Sequence, residues 1–318
     1  MRLGGIYPVF EPNVALRRDP SYKPETPPNL RFARPDSIDE LDDIALQLDR
    51  YGLSAIGAPG AMWTRGRDEC AAFGERAREL GIMVGEANFN DNLMVADREL
   101  AEQRISDIRR GLLNADAMQC RTLHILPGTK NPVGGLLTAH PEMFTHAYKS
   151  ELREVVLRVL EGLDLQHTRF LIEPFNHSFF YQPEDIREFY DAVDHPLFGF
   201  HMDVVNMIAM DTYFDTTSLI HRTFDLLGEF VYSSHVKDLL WDHGHLTLKW
   251  DEVLIGEGTL DLETYLKRLD ELDPDTPCYC EHLPDEASYA HNFAKVHEVA
   301  ERIGVDVKRR VEQLELGG

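Results

Sequence analysis

Strand-like and helix-like segments alternate eight times along this 318-residue chain. The pattern predicts strands over 2–10, 53–59, 82–89, 122–128, 169–175, 198–203, 231–238 and 277–283. Helices are expected over 37–52, 69–81, 97–119, 140–163, 183–193, 217–228, 261–272 and 286–304. The segment "SIDELDDIALQLDRYG" (37–52) shows why. Ser37 is an N-cap residue, the apolar positions recur at helical spacing, and Gly52 stops the run. Asp261 is placed to cap the seventh helix. A Pro-rich loop follows the first strand, and no linker splits the units into two groups. Alternating units imply parallel strands joined by crossover helices. Eight of them imply a single closed (β/α)8 TIM barrel with extended loops at the C-terminal face of the strands. A doubly wound open sheet would carry a Gly-rich phosphate loop after its first strand, and no G-x-G-x-x-G stands there. The stretch "GAPGAMW" (57–63) has two glycines at another spacing and reads as a plain turn. Residues 1–318 are therefore expected to form one domain, with a tail from about 305.

In such a barrel the chemistry lies at the C-terminal ends of the strands. Strands five to eight end on Glu173, Asp203, His235 and Glu281. One polar strand end could cap a helix or meet an arginine. Three carboxylates converging without a cation would repel one another and raise their own pKa values. A divalent metal resolves that, and an arginine-paired cluster is the other solution. Carboxylates with one imidazole suit Mn²⁺, Mg²⁺ or Co²⁺ better than a thiolate-preferring ion. Asp203 stands out within "FGFHMDVVNMI" (198–208), because an ionised carboxylate in an apolar strand needs a partner.

The formal net charge of −23 argues against nucleic acid and anionic membranes as partners. No apolar run approaches the ~20 residues of a membrane span. Cys70, Cys120, Cys278 and Cys280 form no C-x-x-C pair and read as buried free thiols in a reducing, cytoplasmic setting. The N-terminus "MRLGGIYPVF" reads as a strand and lacks the apolar region of a signal peptide.

Further candidates surround the four. His124 ends strand four and is expected to face the mouth, as a substrate contact or as a rim histidine bonded within the barrel. Glu86 and Asn88 end strand three, where they bind hydroxyls or brace a loop. His201 is one layer deeper than Asp203 and reads as a supporting or core residue. His177 either reaches the site from the loop after Glu173 or is solvated. Lys237 either holds a substrate oxygen, phosphate or carboxylate, or pairs with Asp238 or Glu257. Trp63, Phe175, Phe179, Phe180, Tyr181 and Trp241 are expected to ring the mouth over a sugar, or to form a subunit interface. The stretch "DHGHL" (242–246), with "HLTLKW" after it, reads as an inserted hairpin rather than a second metal site.

The pieces "LIEPFNH" (171–177), "HMDVVN" (201–206), "SSHVKD" (233–238), "IGEGTLDLETYL" (255–266) and "CEHL" (280–283) resemble the xylose isomerase-like barrel superfamily, in its sugar phosphate isomerase/epimerase branch. They cover the C-terminal half of the barrel, and the N-terminal half agrees in layout. The resemblance implies that Glu173, Asp203, His235 and Glu281 bind one catalytic divalent metal, often Mn²⁺. It also implies that Glu173 and Glu281 are the two acid/base groups, as in ketose 3-epimerases. A metal chelating a sugar's carbonyl and adjacent hydroxyl would stabilise an enediolate while carboxylates move the proton. That chemistry describes a divalent-metal-dependent isomerase or epimerase of a sugar or sugar derivative.

Two positions depart from the ketose 3-epimerase pattern. Asn206 stands where a histidine is usual, and Lys237 and Asp238 follow His235 where an arginine is expected nearby. Both positions contact substrate in those relatives, which points away from a standard free-ketose 3-epimerase and leaves Asn206 and Lys237 as candidate substrate contacts. The alternative is a metal-dependent lyase on the same scaffold, of the inosose dehydratase type or the catalytic subunit of a C-glycoside deglycosidase acting on 3-keto-glycosides. The latter would come with a small partner subunit. Relatives commonly form homo-oligomers. The apurinic-site endonucleases share the barrel but need more histidine ligands, and "GAPG" (57–60) supplies none. A non-catalytic sugar-binding barrel would not need metal ligands on four strands.

Overall fold

The computed structural model describes residues 1–6, 31–33, 35–132, 136, 138–246 and 248–310. The chain alternates strand and helix as follows: β1 (Arg2–Gly5), α1 (Leu41–Tyr51), β2 (Ala55–Gly57), α2 (Arg67–Glu79), β3 (Met83–Asn88), α3 (Arg98–Met118), β4 (Thr122–Ile125) and α4 (His146–Leu160). Then come β5 (Arg169–Ile172), α5 (Pro183–Val193), β6 (Phe198–Met202), α6 (Thr216–Leu227) and β7 (Val231–Val236). A hairpin of β8 (Asp238–Trp241) and β9 (Trp250–Val253) precedes α7 (Leu262–Asp270), β10 (Pro277–Cys280) and α8 (Glu286–Ile303). The barrel closes in the order β1-β10-β7-β6-β5-β4-β3-β2, every pairing parallel.

Local chemistry sets the helix starts. Asp97, Thr145, Asp215, Asp261 and Asp285 each accept a backbone N–H in the first turn of α3, α4, α6, α7 and α8. Gly52 closes α1 at φ +67°, where a side chain would be strained. The strands are shorter than their apolar runs, because the last residues of each run leave the ladder to form the rim. The first strand ends at Gly5, and the remainder of the expected 2–10 strand lies largely outside the described residues. So do 311–318 of the expected tail. "GAPGAMW" contains a 3-10 turn at Gly60–Trp63.

Side chains fill the barrel interior. The Tyr279 ring crosses it, and its hydroxyl donates to the Ile56 carbonyl at 2.8 Å. A Cβ on Gly4 or Gly85 would fall 2.5 Å or 2.2 Å from Tyr279 atoms, so these two glycines make room for the ring. All four cysteines are buried and free. Phe179 and Phe180 do not ring the mouth. Both are buried against Phe189, and Phe180 also meets Tyr190 and Phe200, because the chain turns back under α5 after Glu173. Among the described residues no helix is long and apolar enough to cross a membrane.

The hairpin is anchored at its base. Asp238 is buried and accepts the N–H groups of Leu239, Gly256, Gly258 and Leu260 at 2.9–3.0 Å. It therefore ties the end of β7 to the loop entering α7, and it does not pair with Lys237. Replacing Asp238 with Ala orphans these donors, three of them on one loop, so a loss of about 3–5 kcal/mol is expected in urea denaturation. A loss below ~1 kcal/mol would show that the loop is held by something else.

Candidate active site

Glu173 directly follows β5, Asp203 follows β6, His235 lies near the end of β7, and Glu281 follows β10. Each offers one ligand atom, and these atoms lie within 4.8 Å of one another. The Nδ1 atom of His235 is 3.1 Å from Glu281 Oε1, 3.6 Å from Glu173 Oε1 and 3.7 Å from Asp203 Oδ2. That nitrogen is buried and makes no hydrogen bond of good geometry. A buried, unsatisfied imidazole nitrogen facing three carboxylates fits a divalent cation, and the oxygen-rich donor set suits a hard or borderline one. This buried group could hold a metal.

The sequence departures find a physical use here. Asp203 Oδ1 accepts the N–H groups of Val205 and Asn206, both at 3.1 Å, which curls the chain after β6 into a tight turn. The turn swings Asn206 back over the site, where its Nδ2 donates to Glu173 Oε1 at 2.8 Å. Asn206 thus braces a carboxylate.

Lys237 is almost fully buried, at 2% exposure. Its Nζ lies 2.6 Å from Glu281 Oε1, 2.8 Å from Asp203 Oδ2 and 3.4 Å from Glu252 Oε1. Neither Asp238 nor Glu257 is its partner. A cation therefore stands among the carboxylates, and it is a lysine rather than an arginine. Burial works against the ionised forms of Asp203 and Glu281, but Lys237 for Asp203, and His235, His282 and Lys237 for Glu281, outweigh it and hold both low. For Glu173, burial outweighs the opposing pull of His235 and raises it.

A second layer supports His235. Glu86 Oε1 is 3.1 Å from His235 Nε2, which fixes the ring with Nδ1 toward the carboxylates. Burial pushes Glu86 up to about 7. His201 Nδ1 meets Ser233 Oγ at 2.6 Å, and its ring stacks on His124 at 4.4 Å. His124 is fully buried, with Nε2 3.5 Å from Glu173 Oε2. It lies beneath the carboxylates, and it does not line the cavity above them. Its place in the strand puts it one layer below the rim. His177 packs at a tilt against Phe175, with ring centres 4.2 Å apart, and is also absent from the cavity lining.

Above the cluster opens a cavity of about 590 Å³. Glu86, Glu173, His235 and Glu281 form its polar floor, while Met62, Trp63, Phe89 and Phe175 supply an apolar wall. Trp63 is positioned by Phe89, at 5.2 Å between ring centres, and by close approach to Gly111 of α3. Trp241 sits elsewhere, on the hairpin with Tyr213, Phe214 and His243.

Sequence reasoning missed two residues. His282 lines the cavity, and Glu252, on β9, meets His282 Nδ1 at 2.9 Å. The stretch "CEHL" put His282 next to a ligand candidate, which was a usable signal. Nothing in the sequence tied Glu252 to the rim, because the link exists only through the fold of the hairpin.

His124 gives a signed pH effect. Burial lowers its pKa from 6.5 to about 3, so the folded state stays neutral while the unfolded chain gains a proton. Its contribution is complete above about pH 6.5 and is lost as the pH falls towards 3, at up to about 1.4 kcal/mol per pH unit. The stability gap between wild type and His124→Gln, measured by urea denaturation of the metal-free proteins, is expected to narrow on acidification from about pH 7 to 5. A constant gap would show that folded His124 takes up its proton normally.

A closed eight-stranded parallel barrel with a carboxylate–imidazole cluster at its C-terminal mouth defines a metal-competent (β/α)8 protein. Residues 39–305 match the xylose isomerase-like TIM barrel family, and the chain belongs to that family. Comparison with curated protein sequences gives no match. Solved structures share the fold, among them the following three. A xylose isomerase domain protein from Planctomyces limnophilus is 20% identical, with TM-score 0.62, covering 85% of this chain and 96% of that one. The 3-keto-D-glucoside 4-epimerase of E. coli is 16% identical, with TM-score 0.61, covering 94% and 99%. The D-psicose 3-epimerase of Clostridium cellulolyticum H10, in a structure with D-tagatose, is 13% identical, with TM-score 0.60, covering 96% and 100%. At these identities the likeness is one of fold.

Proposed function

We propose that the protein is a divalent-metal-dependent isomerase or epimerase that moves a proton next to a carbonyl in a sugar or sugar derivative. The observation that carries this reading is the convergence of Glu173, Asp203, His235 and Glu281 on one point, with Glu173, His235 and Glu281 open to the cavity above. A metal held there would supply positive charge to a carbonyl oxygen as it becomes negative, with Mn²⁺ the preferred ion.

The residues of the chain do the rest. Strands β5 and β10 are separated in the barrel by β6 and β7, so Glu173 and Glu281 approach the floor from different sides. One carboxylate takes the proton from carbon, and the other returns one. Asn206 engages Glu173 Oε1, which leaves Oε2 for proton transfer. Lys237 engages Glu281 Oε1, and Trp63 presents a ring to the sugar face. His124 acts from below through Glu173, and Glu86 through His235. The packing of His177 on Phe175 gives it an indirect part in shaping the cavity wall.

A second reading is a lyase using the same proton abstraction to expel a leaving group from the neighbouring carbon. The wall formed by Met62, Trp63, Phe89 and Phe175 favours it, because an apolar substituent on the sugar would find contact there. The experiment is incubation of Mn²⁺-loaded protein in D₂O with ketoses, sugar phosphates, inososes and 3-keto-glycosides. Deuterium at the carbon next to the carbonyl supports proton abstraction, and the product separates epimer from elimination. No exchange with any class would remove both readings.

A further inference from the structure

We infer that Glu252, carried by the β8–β9 hairpin, is a positioning residue that sets the geometry and charge of the metal-ligand group through Lys237 and His282. The inference rests on the metal reading above. Glu252 does not belong to the group of four that converges. It touches Lys237 and His282, two of the three basic side chains that face Glu281. Its Oε1 is 3.4 Å from Lys237 Nζ, and its Oε2 is 2.9 Å from His282 Nδ1. On the other side, Lys237 Nζ lies 2.6 Å from Glu281 Oε1, and His282 Nε2 lies 3.3 Å from Glu281 Oε2. Both oxygens of Glu281 are thus held by groups that Glu252 holds.

The hairpin makes this possible. The register Leu239↔Glu252 folds β9 back along β8, two residues beyond Lys237, and places Glu252 over the rim with 15% of its side chain exposed. His282 has a left-handed backbone, φ +60°, which is uncommon for a residue with a side chain. Such a conformation persists where surrounding contacts fix it, and the imidazole bonded to Glu252 is one such contact.

The consequence concerns charge. Lys237 contacts Asp203 Oδ2 and Glu281 Oε1, two carboxylates that a divalent cation would use. With Glu252 present the ammonium has a third acceptor outside the ligand group, so the ligand oxygens keep more of their negative potential. Without it, Lys237 would lean wholly on the ligand carboxylates and compete with the metal. The inserted hairpin is therefore a working part of the site.

The test is Mn²⁺ binding by calorimetry, with the Mn²⁺ electron paramagnetic resonance line shape as a second readout. The proteins are wild type, Glu252→Gln, Lys237→Met and the double variant. Glu252→Gln is expected to weaken Mn²⁺ binding about tenfold and alter the line shape, while the same change in the Lys237→Met background costs less than about threefold. An effect of Glu252→Gln below about twofold overturns the inference, and so does an equal penalty in both backgrounds, which would mark simple loss of a nearby charge. Should Glu252→Gln not fold, the double variant decides alone: it is expected to bind within about threefold of Lys237→Met, and a larger loss overturns the inference. Wild-type protein that binds no Mn²⁺ overturns the metal reading together with this inference. Wild-type binding with no effect of Glu252 overturns the inference alone.

Discussion

Glu281→Gln is expected to lower deuterium exchange in the Mn²⁺-loaded protein by about 10²–10⁴-fold, with the barrel still folded. The substitution keeps the shape of the side chain but removes its capacity to take a proton. It also removes a negative charge that Lys237, His282 and His235 all face, at 2.6, 3.3 and 3.1 Å. Mn²⁺ affinity should therefore fall as well, so exchange must be compared at saturating metal. Glu173→Gln should cause a loss of similar size if the second carboxylate completes an epimerisation. Exchange within about threefold of wild type at saturating Mn²⁺ would remove Glu281 from the proton-transfer step.

The second large effect concerns stability. Asp203→Ala is expected to destabilise the metal-free protein by about 3–5 kcal/mol, because it leaves the buried Lys237 short of a counter-charge. Asp203 is fully buried, and its two oxygens divide the work. Oδ1 takes the Val205 and Asn206 N–H groups, and Oδ2 faces Lys237 at 2.8 Å. The change therefore opens the turn after β6 and strands a cation together. Asp203→Asn keeps an oxygen for the turn and loses only the charge, so it should fall between wild type and Ala. Urea denaturation of the three proteins reads the series. A loss below ~1 kcal/mol for Asp203→Ala would mean that Glu252 and Glu281 suffice to hold Lys237. Restoring Lys237→Met on top of Asp203→Ala should recover part of the loss, because the stranded charge is then gone.

The barrel was legible because it is a periodic property. Apolar spacing, N-caps such as Asp261, and stops such as Gly52 each act within a few residues, and eight repeats leave few topologies open. The residues that end strands five to eight were legible for the same reason, since a parallel barrel brings its strand ends to one rim. Depth and pairing were not legible. A sequence places His124 near a strand end but does not say whether it rises into the mouth or lies beneath the carboxylates. It likewise offered Lys237 two acidic neighbours along the chain, whereas its partners Asp203, Glu281 and Glu252 come from three other segments.

By itself, then, the sequence determined the eight βα units, the closed barrel and the four side chains delivered to its mouth. Tertiary structure alone decided how the buried charges are balanced. Asn206 braces Glu173, Lys237 stands among the clustered carboxylates, and Glu252 arrives from a hairpin to meet Lys237 and His282. The physical reason is the range of the interactions. Capping and periodicity are local, while a buried charge is satisfied by whatever the fold brings within about 4 Å of it, regardless of position in the chain.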